Sequence, residues 1–115
     1  MHMKNPYAAA TSLGGNTARY GYLFLATASE IIAQYGKLPR KELFEKVYSP
    51  VAAIHDSYPE RIAREIARAV DEIWDHGDRE MLEEVLGHKA ISKPMPAEVM
   101  QALANYISEG EKIIL

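Results

Sequence analysis

A chain of 115 residues, 48% apolar and 25% charged, holds enough material for one globular domain and too little for two. It has no cysteine, which excludes disulfides, thiolate zinc sites and thiol catalysis. Its net charge of −3 is not that of a surface that grips phosphate everywhere, so nucleic-acid binding would need a local cationic patch.

Residues 1–16 are rich in small side chains and end near Leu13-Gly14-Gly15, a composition that predicts a flexible N-terminal arm. The glycines do not make a phosphate loop, because no G-x-x-x-x-G-K-[ST] pattern follows them. A helix is predicted over 17–35, with Tyr22, Leu25, Ala26, Ser29 and Ile32 on one face and Gly36 as its stop. Gly21 inside it costs about 1 kcal/mol relative to alanine and marks close packing against a neighbour. Pro39 suits the first turn of a second helix, reaching Tyr48 with Leu43, Phe44 and Val47 inward. Ser49-Pro50 reads as an N-cap followed by proline at the first helical position, opening a short helix over 50–55.

The stretch Asp56 to Gly77 carries the strongest signals. Ser57 and Glu60 have the S-x-x-E spacing of a capping box, and Gly77 stands where a left-handed C-cap is expected. Between them Ile62, Ile66, Ala69 and Ile73 share one face, with Val70 and Trp74 at its edge. Arg61, Arg64 and Arg68 fall on the other face. The i,i+4 spacing also offers Arg61–Glu65 and Arg68–Glu72 pairs, each worth roughly 0.2–0.5 kcal/mol. A short helix, a tight turn and a longer helix over 59–76 make a helix-turn-helix candidate. Asp78 caps a fifth helix ended by Gly87, and Pro96 opens a sixth, buried through Val99, Met100, Leu103, Ala104 and Ile107. Residues 110–115 form an apolar tail, Ile113 to Leu115. The predicted fold is all-α with about six helices, its helical body spanning 17–109.

Catalysis finds little support. The four histidines show no metal-ligand spacing, Glu83 and Glu84 splay to different faces, and no serine or threonine has a nucleophile context. No enzyme, cofactor or metal site is expected. No apolar run spans a bilayer and no secretory signal opens the chain, so the expected setting is cytoplasmic, without membrane contact. The candidate DNA-binding residues are Arg61, Arg64 and Arg68, with Ser57 at the helix start and Lys89 and Lys93 in the loop before the last helix.

The order of residues resembles the C-terminal DNA-binding domain of the sporulation-initiation response regulator of endospore-forming bacteria. Gly21-Tyr22-Leu23-Phe24-Leu25 is similar to that family's G-Y-x-Y-L opening, and Val47-Tyr48 with Val51-Ala52 resembles its L-Y-P-x-I-A. Arg61-Ile62-Ala63-Arg64, Ile66, Ala69-Val70-Asp71, Trp74 and Gly77 follow its R-V-E-R-A-I-R-x-A-I-E-x-A-W-x-R-G, and Lys93-Pro94 with Glu98 its K-P-T-N-S-E-F-I. The resemblance implies a six-helix fold, a recognition helix in the major groove of double-stranded DNA, transcriptional control, and dimeric or tandem binding. Arg61 and Arg64 match arginines of the recognition helix. Ala63, Ala67, Arg68, His76 and Pro96 replace a glutamate, an arginine, a histidine, an arginine and an asparagine. The stretch before Gly21 is too short for the receiver domain that carries the family's phosphorylated aspartate. The alternative reading is a helical interaction module that does not bind DNA. It would modulate a longer regulator or self-associate through the tail. The acidic balance and Glu80, Glu83 and Glu84 support it.

Overall fold

In the computed structural model, which describes residues 4–112, six α-helices follow one another: α1 (Pro6–Thr11), α2 (Tyr20–Tyr35), α3 (Ser49–Ile54), α4 (Pro59–His76), α5 (Arg79–Leu86) and α6 (Pro96–Lys112). No extended strand occurs among these residues, so the architecture is all-α. Met1–Met3 and the tail residues Ile113–Leu115 lie outside them. Helix α2 is the centrepiece, packed by α1, α4 and α6. Its buried face holds Tyr22, Phe24, Leu25, Ala28 and Ile32, and α6 adds Val99, Met100, Leu103 and Ile107.

The N-terminal stretch differs from the expected arm. Asn5 caps α1 by accepting the Ala8 N–H at 2.9 Å, and Pro6 takes the first helical position. Ala9, Ala10 and Leu13 are buried against the core. After α1 the chain turns across α4. The Leu13 carbonyl accepts the Asp78 N–H at 2.8 Å, the Asn16 N–H donates to the Glu72 carboxylate at 2.9 Å, and Gly14 bridges Gly77. Burial of three apolar side chains outweighs the flexibility of a small-residue composition.

Gly77 accordingly plays another part than the one expected. Its backbone is extended, with φ −87° and ψ −168°, and a Cβ there would collide with the Leu13 and Ile73 carbonyl oxygens. Room for the N-terminal strap, not left-handed geometry, requires glycine. Asp78 then caps α5 as expected, accepting the Met81 N–H at 3.1 Å.

The segment between α2 and α3 is also not the predicted α-helix. A 3-10 turn, Arg40–Glu42, leads into a π-helical stretch, Phe44–Tyr48, that runs without a break into α3. Ser49 is helical, its N–H bonded to the Phe44 carbonyl, and it is not the N-cap of α3. Pro50 explains the widened turn, because its ring has no N–H and clashes with the carbonyl four residues back. That carbonyl, on Lys46, accepts the Tyr35 hydroxyl at 3.2 Å.

Tyr22 joins three of these pieces. Its buried hydroxyl donates to the Gly14 carbonyl at 2.6 Å, and burial, reinforced by the Glu72 charge and opposed by Arg19, pushes its pKa from the ordinary 10.0 up to about 12. A phenol whose folded pKa is raised contributes stability below pH 10 that is lost as pH climbs toward 12. Tyr22→Phe is expected to cost about 1–2 kcal/mol at pH 7 through the lost hydrogen bond. It should also flatten the fall in stability between pH 10 and 12, as read from urea midpoints at both pH values.

Candidate nucleic-acid interface

The turn from α3 into α4 is set by two backbone positions. His55 ends α3, and Asp56 takes the left-handed conformation at φ +53°, which aspartate tolerates better than most residues. The Ser57 N–H folds back on the Ala52 carbonyl at 2.8 Å. Pro59 then forces Tyr58 into extended geometry, so Tyr58, not Ser57, is the N-cap of α4. The expected capping box is therefore absent. The Ser57 hydroxyl instead accepts Arg61 Nη1 at 3.3 Å.

Helix α4 turns Ile62, Ile66, Ala69, Val70 and Ile73 into the core, as its periodicity requires. Its outward face carries Glu60, Arg64, Arg68, Asp71 and Asp75, with Ala63 and Ala67 half-buried along its flank. Arg64 stands at the middle of this face, exposed and without a hydrogen bond or ion pair among the described residues. Arg68 is exposed too but pairs with Glu65 at 3.2 Å, one turn back. Neither i,i+4 pair expected from the spacing forms: Glu72 is taken by the Asn16 amide and Arg61 is drawn elsewhere.

Arg61 lies at the margin of the face, half-buried. Its guanidinium sits 5.3 Å from the Tyr20 ring centroid and 5.4 Å from that of Phe24, and the two rings stack 6.2 Å apart. His55 closes this cluster, 5.2 Å from the Phe24 ring. Thr27 Oγ1 lies 3.1 Å from the Leu23 carbonyl oxygen and shares a hydrogen bond with His55 Nε2 at 2.8 Å. Tyr20, Phe24, His55 and Arg61 line a shallow cavity of about 220 Å³ at the start of α4.

The lysines behave differently from each other. Lys93 Nζ reaches across to Asp71 Oδ1 at 2.6 Å, and that hydrogen bond and charge raise its pKa further. Lys89 is exposed and shares no contact with the arginines; its carbonyl bonds the His88 ring at 2.9 Å. The structure thus joins Ser57 to Arg61, sets Arg64 and Arg68 on one surface, ties Lys93 to α4 and leaves Lys89 apart. Nothing in the sequence marks Tyr20 as a partner of Arg61, and Asp71 stands out there only within the Ala69-Val70-Asp71 match. Asp71 was readable as a neighbour of Arg64, seven residues on, whereas its pairing with Lys93 needed the loop path.

The outward face of α4 thus sets Arg64 and Arg68 among Glu60, Asp71 and Asp75, with the Lys93 ammonium at its edge. Among the described residues no group of three acidic or histidine side chains could hold a metal ion, and no helix is long and apolar enough to cross a membrane. No curated protein gives a significant match to the chain. A family model, described as the C-terminal part of the sporulation initiation factor Spo0A, matches residues 8–107. That match covers nearly all of the six-helix body, α4 and its arginines included, and the chain belongs to this family of sporulation-related, DNA-binding regulatory domains.

Proposed function

We propose that the chain reads double-stranded DNA in a sequence-specific way and regulates transcription. Helices α3 and α4 act as a helix-turn-helix, and α4 lies in the major groove. The observation that carries this reading is Arg64, exposed at the centre of the outward face of α4 and unpartnered among the described residues. A guanidinium in that position can bond guanine O6 and N7 together, a contact that discriminates between bases by about 1–3 kcal/mol. Ala63 and Ala67 beside it are small, which lets the helix backbone sit deep. Arg68, Ser57 and Lys89 serve phosphates, and Arg61, braced on Tyr20 and Phe24, is held ready for one at the start of α4. Dimeric or tandem occupancy belongs to the same reading.

Fluorescence anisotropy on two labelled duplexes tests it, one carrying tandem copies of the family's operator box and the other a scrambled sequence. Tighter binding to the box, weakening with salt as phosphate contacts demand, is the expected result. Stoichiometry on duplexes with one or two boxes reads the tandem arrangement. Failure to bind either duplex at low salt, and failure to select any sequence from random DNA, would leave the interaction-module reading. The even balance of charge on the α4 face favours that second reading: Glu60, Asp71 and Asp75 stand against Arg64, Arg68 and Lys93.

A further inference from the structure

We propose that Asp71 and Lys93 form a charge latch that withholds one cation from DNA and so lowers affinity for every duplex, whatever its sequence. This role rests on the DNA-binding reading above. Asp71 lies two helical turns beyond Arg64 on the same exposed ridge of α4. A duplex that meets Arg64 brings its phosphates close to that carboxylate. Lys93 covers it at 2.6 Å, with the two side chains 50% and 53% exposed.

The loop that delivers Lys93 is fixed on both sides. Before it, the Ala90 N–H donates to the Glu83 carboxylate at 2.9 Å; after it, Pro94 is buried and the Met95 N–H donates to Glu98 at 3.0 Å. Asp75, one turn further along α4, also acts on the Lys93 charge. The ammonium therefore bonds one carboxylate of α4 within the field of a second, and its position at the edge of the helix is held by the loop.

An exposed pair of this kind adds little to folding stability. Its consequence lies in the ions around DNA. Each phosphate neutralised by a protein cation releases counterions, and the binding constant then falls with salt with a slope of about −0.9 per contact. At roughly 0.1 M salt, one such contact is worth about tenfold in affinity, on any sequence. A lysine bonded to Asp71 contributes almost none of it. The carboxylate thus sets how much of the affinity is indifferent to sequence, and leaves Arg64 to supply the part that is not.

A double-mutant cycle on DNA affinity tests the latch. Asp71→Asn is expected to tighten binding about tenfold on operator and random duplexes alike at ~0.1 M salt, and to steepen the salt slope by about 0.9. Lys93→Ala should cost about twofold in the wild-type background and about tenfold in the Asp71→Asn background. An unchanged affinity in Asp71→Asn, or an equal cost of Lys93→Ala in both backgrounds, would overturn the latch while leaving DNA binding in place. Absence of binding by the wild type and Asp71→Asn alike would overturn the DNA reading and the latch together.

Discussion

Gly21→Ala is expected to destabilise the fold by about 3 kcal/mol, although alanine in a helix interior is ordinarily worth about 1 kcal/mol more than glycine. At Gly21, α2 crosses α4 so closely that a Cβ would strike the Glu65 carbonyl oxygen and stand 2.9 Å from the Ala69 Cβ. The obstacle is backbone of a second helix, which cannot rotate aside as a long side chain would. The two helices must separate, and the core around Tyr22, Ile62 and Ile66 opens with them. The thermal midpoint should fall by roughly 10–20 °C. A midpoint that rises by a few degrees would show that propensity decides at this position and that the crossing is loose.

Arg64→Ala is expected to reduce affinity for the operator by tenfold to a hundredfold, or about 1–3 kcal/mol, while random duplex loses only what one phosphate-directed charge contributes. Arg64→Lys should recover the charge and its salt slope but not the discrimination, because an ammonium cannot engage both guanine acceptors in one plane. Competition anisotropy with the two duplexes separates these effects. Equal losses on operator and random DNA would make Arg64 a phosphate contact and move base reading elsewhere on α4. Because Arg64 is exposed and has no partner among the described residues, its removal should leave the thermal midpoint within about a degree of wild type, which keeps a binding defect distinct from a folding defect.

The helical class and its long members were legible in the sequence, since the apolar periodicities of residues 59–76 and 96–107 leave no other way to bury their isoleucines and leucines. Caps were less legible. The same signature, a capping side chain followed by proline, occurs at Asn5-Pro6 and at Ser49-Pro50. It starts a helix at Asn5, where Ala9, Ala10 and Leu13 give the turn a core to dock on. At Ser49 it does not, because Tyr48 already packs as part of a continuous π-to-α run. Ser57-x-x-Glu60 was outcompeted by Pro59, whose constraint on Tyr58 moves the cap by one residue. At Gly77 the sequence shows that a side chain is missing, but not which neighbour needs the space.

At the candidate site the arginine face of α4 was likewise visible, while its division of labour was not. Helical spacing places Arg61 beside Glu65 and Arg68 beside Glu72. Tyr20 and Phe24, about forty residues earlier, claim the first arginine, and Asn16 claims Glu72. Local spacing ranks partners within one helix and says nothing about competitors brought in by another.

The N-terminal strap decides where this domain can be cut. Residues 4–16 are joined to the far end of the fold by the Leu13–Asp78 and Asn16–Glu72 bonds and to α2 by the Tyr22 hydroxyl on Gly14. A shorter polypeptide beginning at Tyr20 would keep five of the six α-helices, yet it would leave the Tyr22 hydroxyl and the amide that opens α5 without their acceptors. A polypeptide that keeps Asn5 onward is therefore expected to be more stable than one that starts at Tyr20, and a protease that cuts between α1 and α2 would loosen the C-terminal end of α4 without touching it.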